Sequence, residues 1–234
     1  MTNVDACELR RRECAEINVN AVRTLIECCE LYQIHLIHIS TDFIFDGEKG
    51  YYKENDKPKP VNYYGESKLL AEKILKRSKI NFTILRTILV YGLVEDASRS
   101  NIVLWVKNTL ENKKEIKVIN DQFRMPTFVN DLAKACYLVV QKNNIETKEL
   151  NQQVYHISSN ELISIYEIAT QIADTFNLDK NLIKEITTKE LNQRAERPMK
   201  TGFVINKAVE ELGFESVSFK ERLLFFKSQI HKVQ

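Results

Sequence analysis

Residues 34–72 read IHLIHISTDFIFDGEKGYYKENDKPKPVNYYGESKLLAE. The first six, Ile34 to Ile39, are a largely apolar, β-branched run of the kind that fills an interior parallel strand. The run stops at Ser40-Thr41-Asp42, three small polar residues. In an open α/β sheet, the end of such a strand faces the crevice in which ligands bind. A loop follows, and then a helix opening near Tyr64, which the spacing predicts to turn Leu70, Ile74 and Leu75 inward and to leave Glu66, Lys73 and Lys76 in water. Strand, polar strand end and helix together indicate an α/β protein with a doubly wound parallel sheet.

Tyr64 and Lys68 are four residues apart and so share one face of that helix. A phenol with a pKa near 10 exchanges protons poorly at neutral pH, and an ammonium one turn away favours the phenolate. Thr41 at the strand end can hydrogen-bond a substrate oxygen held against the phenol. The three residues suit protonation of a carbonyl oxygen while hydride reaches its carbon. The spacing alone is weak evidence, because a lysine-rich chain with nine tyrosines has about one such pair by chance. The polar strand end just upstream gives it weight.

Four stretches, HISTDFIFDG (38–47), NYYGESKLLAEK (62–73), ILRTILVYG (84–92) and VINDQFRMPT (118–127), resemble in order the motifs of the dTDP-4-dehydrorhamnose reductases. These are extended short-chain dehydrogenase/reductases acting on a nucleotide sugar, with a Rossmann-like sheet. The resemblance runs from Thr2-Asn3-Val4-Asp5 to Arg197-Pro198. It implies reduction of the 4-keto group of a dTDP-linked deoxysugar, as in dTDP-rhamnose biosynthesis, with NADPH or NADH. Tyr64 is then the proton donor, Lys68 tunes it and holds the nicotinamide ribose, and Thr41 binds the sugar oxygen. Thr2 joins Tyr64 and Lys68 at the nicotinamide end, and Asp42 adds a substrate hydrogen bond. Arg124 and Arg197 fall in segments that lie near the substrate, Arg124 by its diphosphate, although the family often has glycine where Arg124 stands. Leu89 replaces a tryptophan that the family places at the sugar, which leaves the identity of the sugar open. Asn18 stands where related reductases have an asparagine that bends a helix and positions a proton-relay water; it reads equally well as an ordinary polar helix position.

Composition bounds the partners. Net charge is +2 over 234 residues with acids and bases interspersed, which gives no basic stripe for nucleic acid. No apolar run reaches membrane-spanning length. Five cysteines at 7, 14, 28, 29 and 136, without Cys-x-x-Cys spacing, read as reduced thiols of a cytoplasmic protein. Four histidines without ligand spacing suggest no metal. The oligomeric state is not set by sequence, and a homodimer is allowed for.

The resemblance divides the chain into a partial cofactor-binding domain, residues 1–150, and a substrate lobe, residues 151–234, with residues 93–130 also contributing to the lobe. Residues 93–100 read as a mobile loop. The six glycines, at 47, 50, 65, 92, 202 and 213, form no glycine-rich turn for a dinucleotide pyrophosphate. By resemblance that turn belongs to a first βαβ segment ahead of Met1. The 234 residues therefore read as N-terminally truncated, or as a natural short form, and as inactive by themselves. Two other functions stay open: an epimerase or dehydratase, for which Asp42-Phe43 lacks the usual Asp-Glu pair, and a non-catalytic partner like the regulatory subunit of methionine adenosyltransferase.

Overall fold

The computed structural model describes residues 1–94, 101–145 and 152–233; most of the loop expected at 93–100, and the division at 150/151, fall outside these residues. The chain opens with helices α1 (Val4–Leu9) and α2 (Arg11–Ala15), a π-helical turn (Glu16–Asn20) and α3 (Ala21–Tyr32). Strand β1 (Leu36–Thr41), β2 (Gly50–Tyr52), α4 (Tyr63–Arg77), β3 (Phe82–Thr87) and β4 (Val90–Tyr91) follow. The middle holds α5 (Ile102–Glu111), β5 (Ile116–Ile119), β6 (Phe123–Arg124), β7 (Thr127–Phe128) and α6 (Val129–Ile145). Then come β8 (Gln153–Ile157), β9 (Ile163–Ser164), α7 (Ile165–Phe176), β10 (Ile183–Ile186), α8 (Thr188–Leu191), β11 (Lys200–Phe203), α9 (Asn206–Leu212) and α10 (Phe219–Val233).

The principal sheet is parallel, in the order β1-β3-β8, with Thr41 opposite Thr87 and Thr87 opposite Ile157. Both of its faces are covered, which is why β3 is buried along its whole length. On one face Phe82 and Ile84 meet Val22, Ile26 and Cys29 of α3 and Ala71 and Leu75 of α4. On the other, Leu85, Tyr155 and Ile157 meet Ala135 and Val139 of α6 and Ala208 and Leu212 of α9. Burying Leu75 alone stabilises the fold by about 2 kcal/mol. This is a Rossmann-like arrangement.

A second sheet, β2-β11-β6-β9, draws its strands from four distant parts of the chain, and β5 with β10 carries α5, α7 and α10 around another core. Strand β8 pairs with β3. A cut between residues 150 and 151 therefore crosses the principal sheet, because parallel pairing, not chain order, decides which strands belong together.

Several phase assignments differ from the periodicity. Leu70 is exposed on α4, whose inner face is Gly65, Ser67, Ala71, Glu72 and Leu75. The apolar stripe Ile17–Ala21–Leu25–Cys28 faces outward, with Ile17 and Leu25 about half exposed. The buried stripe is the neighbouring one, Cys14, Asn18, Val22, Ile26 and Cys29, which keeps its face through the π turn at Glu16–Asn20. On α6 the buried residues are Ala135 and Val139, while Val129 and Val140 stay exposed.

Helix α4 starts where it does because Asn62 caps it. The Asn62 Oδ1 accepts from Gly65 N at 2.9 Å, and its Nδ2 donates to Glu196 O at 2.8 Å. At the next position only glycine fits, since a Cβ on Gly65 would stand 2.1 Å from the Phe43 carbonyl oxygen. The close approach presses the first turn of α4 onto the loop after β1. Gly65→Ala is expected to destabilise the fold by about 1–3 kcal/mol; a urea midpoint equal to that of the wild type would show that the contact is not needed.

Candidate active site

A cleft of about 530 Å3 opens at the C-terminal end of β1 and is lined by Thr2, Val4, Ile39, Ser40, Thr41, Asp42, Phe43, Tyr64, Lys68, Thr87, Leu89 and Val90. The six sequence-derived candidates Thr2, Thr41, Asp42, Tyr64, Lys68 and Leu89 thus meet in one place. The strand supplies Thr41, and the first two turns of α4 supply Tyr64 and Lys68. Ser40 joins them, as its place at the strand end predicts, whereas Val4, Ile39, Phe43, Thr87 and Val90 are not among the candidates, although Arg86-Thr87 ends an apolar run just as Ser40-Thr41 does.

The Thr41 hydroxyl donates to Asp42 Oδ1 at 3.1 Å and accepts from Phe43 N at 3.2 Å. Phe43 stands edge-on to the Tyr64 ring, centroids 5.9 Å apart. Burial raises the Tyr64 pKa to about 12, against the lowering effect of Thr41. Lys68 does not offset this: its ammonium is turned to the Ile39 carbonyl, 2.6 Å away. The expected lowering of the phenol by Lys68 is absent from this geometry because desolvation dominates. A neutral phenol at pH 7 is the form a proton donor needs.

Burial lowers the Lys68 pKa to about 8, and the charge of Glu72 opposes that fall. The ammonium spends one N–H on Ile39, so two remain for a ligand. Leu89 sits at φ 41°, a left-handed conformation uncommon for a bulky residue, and such strain is characteristic of ligand sites.

Asp42 is 3% exposed. Besides Thr41 it accepts from Thr201 Oγ1 of β11, and Arg124 Nε lies 3.8 Å away. Arg124, expected beside a diphosphate, is equally buried and lines neither cleft described here. Its terminal nitrogens donate to the carbonyls of Phe123, Pro198 and Met199 and to Gln122 Oε1, which leaves no free fork for phosphate. Arg197 lines a separate, larger cleft of about 950 Å3 together with Lys59, Lys189, Arg194 and Lys200. There it grips Asp5 with contacts of 2.6 and 3.2 Å and holds that carboxyl below its usual range. Asn18 lies in the π turn, with Nδ2 donating to Ser67 Oγ at 3.0 Å and Ser67 Oγ donating to Tyr64 O at 2.7 Å. Its link to the tyrosine runs through α4. Among the described residues no His, Cys, Asp and Glu group could hold a metal ion, and no helix is long and apolar enough to cross a membrane.

The family model described as RmlD substrate binding domain matches residues 1–230. The chain belongs to this family. A dTDP-4-dehydrorhamnose reductase from Clostridium acetobutylicum superposes with a TM-score of 0.87 at 27% identity, covering 98% of this chain and 78% of that one. The Bacillus anthracis reductase, solved with NADP, gives 0.86 at 28% identity with the same coverage. Among relatives of this RmlD-family chain, methionine adenosyltransferase 2 subunit beta of Danio rerio is 32% identical over 94% of the chain and 67% of its own length. Spore coat polysaccharide biosynthesis protein SpsK of Bacillus subtilis is 32% identical over 95% and 74%. The chain spans 54% of the corresponding Bos taurus subunit beta.

The low Lys68 pKa has a testable consequence. Between pH 8 and 10.5 the unfolded chain holds a proton on this lysine that the folded chain has released, so its burial penalty is full below pH 8 and fades as pH rises. Lys68→Met removes that penalty. The stability of the variant relative to wild type should therefore fall steadily across this window; a difference independent of pH would contradict a desolvated ammonium.

Proposed function

We propose that the RmlD-family chain reduces the 4-keto group of a dTDP-linked deoxysugar with NADPH or NADH. The observation that carries this reading is the convergence of Thr41, Tyr64 and Lys68 on one cleft at the end of a parallel strand. Similarity to solved reductases supports the reaction class.

The cleft fits the nicotinamide end of such a cofactor: Lys68 has spare N–H donors and Thr2 a hydroxyl at the rim. When bound, the dihydronicotinamide supplies the hydride. The remaining work falls to the protein. Thr41 holds the keto oxygen beside the phenol, and Tyr64 Oη gives its proton to that oxygen as the carbonyl bond opens. Lys68 lies one turn along α4, where its spare N–H donors would hold the nicotinamide ribose. Asp42 takes the Thr41 proton in the empty cleft, so the hydroxyl would turn from Asp42 to donate to the keto oxygen when substrate binds; Leu89 and Val90 form the wall at the sugar. Arg197, with the basic residues around the larger cleft, would face the diphosphate.

A second reading is a regulatory subunit, favoured by the similarity to methionine adenosyltransferase 2 subunit beta. Co-migration with a methionine adenosyltransferase catalytic chain, without turnover of any keto sugar, would establish it instead.

Tyr64→Phe should lower turnover about a hundredfold or more while substrate affinity changes little; wild-type turnover would remove Tyr64 from the mechanism. Leu89→Trp should raise activity on dTDP-4-dehydrorhamnose by restoring an aromatic wall. If the native protein already turns that sugar over well and the change is neutral, Leu89 does not set specificity.

A further inference from the structure

Tyr64, Lys68 and Glu72 follow one another at four-residue intervals and form one stripe along α4. The first two line the cleft; Glu72 lies one turn deeper with no exposed surface. It is held from two strands. Ser40 Oγ, at the end of β1, donates to Glu72 Oε1 at 2.6 Å. Arg86 of β3 donates from Nε to Oε1 at 2.9 Å and from Nη2 to Oε2 at 2.7 Å, a two-pronged pair. Arg86 is as buried as its partner, gives Nη1 to the Glu54 carbonyl at 3.0 Å, and lies 3.2 Å from His156 Nε2.

A buried ion pair is seldom the most stabilising filler for a core, since apolar side chains of similar volume serve as well or better. An apolar pair would not, however, fix a negative charge one turn below Lys68. Nor would it tie α4 to β1 at this point: Lys68 bonds the Ile39 carbonyl while Glu72 bonds the Ser40 hydroxyl, so the helix grips two consecutive residues leading into Thr41.

We propose that Glu72, clamped by Arg86 and Ser40, is a positioning residue of this cleft. It sets the Tyr64–Lys68 face of α4 in register with the Thr41 strand end and supplies the fixed countercharge that keeps the Lys68 ammonium protonated at neutral pH. The proposal rests on the reductase reading only in taking Lys68 to work as an ammonium.

The other groups around Lys68 do not supply that charge. His38 faces it from β1 and is neutral, its pKa pushed down to about 4 by burial and by the charge of Lys68. Cys14 approaches from α2, Tyr64 shares the stripe, and Asp42 across the cleft is engaged by Arg124 and Thr201. Arg86 and Lys76 face Glu72, the latter at 3.7 Å. Burial opposes the ionisation of Glu72, but the bonds and charge of Arg86, with Ser40, outweigh it and hold the carboxyl below its usual range. At Lys68 burial acts against the charge of Glu72 first and Cys14 second, and the balance is a pKa of about 8.

The test is an NMR titration of the Lys68 side chain in 13C-lysine-labelled protein, assigned with Lys68→Met and read without cofactor, substrate or turnover. Glu72→Gln leaves Arg86 unpaired in the core, so the neutral pair Glu72→Gln/Arg86→Gln is measured beside it, with circular dichroism to confirm the fold. Either folded variant should titrate Lys68 about one pH unit or more below wild type. Glu72→Asp, which keeps the charge, should return the midpoint to within about half a unit of wild type. An unchanged Lys68 midpoint in the double variant, or failure of Glu72→Asp to restore it, overturns the proposal. A lowered and restored midpoint supports it even where no keto sugar is turned over, an outcome that would count against the reductase reading alone.

Discussion

One carboxylate with almost no exposed surface joins the two sheets. Asp42 sits just past the end of β1, takes hydrogen bonds from Thr41 beside it and Thr201 on β11, and faces Arg124 on β6. Burial pushes the carboxyl up and the guanidinium down, and each charge opposes the shift of the other. Such a pair holds only where every remaining donor and acceptor is satisfied. Arg124 meets that condition by bonding the backbone carbonyls of Phe123, Pro198 and Met199. The second sheet is thereby bolted to the end of β1 through a contact that spans 159 positions of the chain.

The same economy explains why α4 can carry the chemistry. Its first turn lies against the Phe43 carbonyl because Gly65 has no side chain, and the Phe43 ring then meets Tyr64 on one side and the Arg124 guanidinium, at 5.5 Å, on the other. One turn on, Lys68 reaches the β1 backbone; another turn on, Glu72 reaches Ser40 and Arg86. Three successive turns of one helix are registered against the sheet by three different kinds of contact: a close backbone approach to the loop after β1, a charge-assisted hydrogen bond to β1 and a buried ion pair with Arg86 of β3.

Much of this was legible in residues 34–72. An apolar run ending in Ser-Thr-Asp and a helix opening on Tyr-Gly with lysine one turn later placed Thr41, Tyr64 and Lys68 together, since local periodicity fixes which residues share a face. What periodicity could not show depends on contacts distant in sequence. Arg124 looked like a phosphate ligand because guanidinium chemistry fits phosphate, but its acceptors at 198 and 199 are brought to it only by the pairing of β6 with β11. The first helical stretch carries two adjacent apolar stripes, and packing against Ala71 and Leu75 of α4 decides that Val22, Ile26 and Cys29 face inward and Ile17 and Leu25 outward. Placing β8 in the first sheet required knowing its partner, β3. The Tyr64 phenol, expected to be eased by Lys68, is governed by burial, a property of the assembled cleft.

The central claim is that this cleft delivers hydride and proton to a sugar ketone. Incubating the protein with nicotinamide cofactor deuterated at C4 of the dihydropyridine ring and a dTDP-4-keto-6-deoxysugar, then weighing the product by mass spectrometry, tests it most directly. Deuterium on the transferred face should leave a single deuterium on C4 of the sugar, and material deuterated on the other face should leave none. A sugar recovered unreduced with both cofactors, or reduced without deuterium from either, would contradict the account.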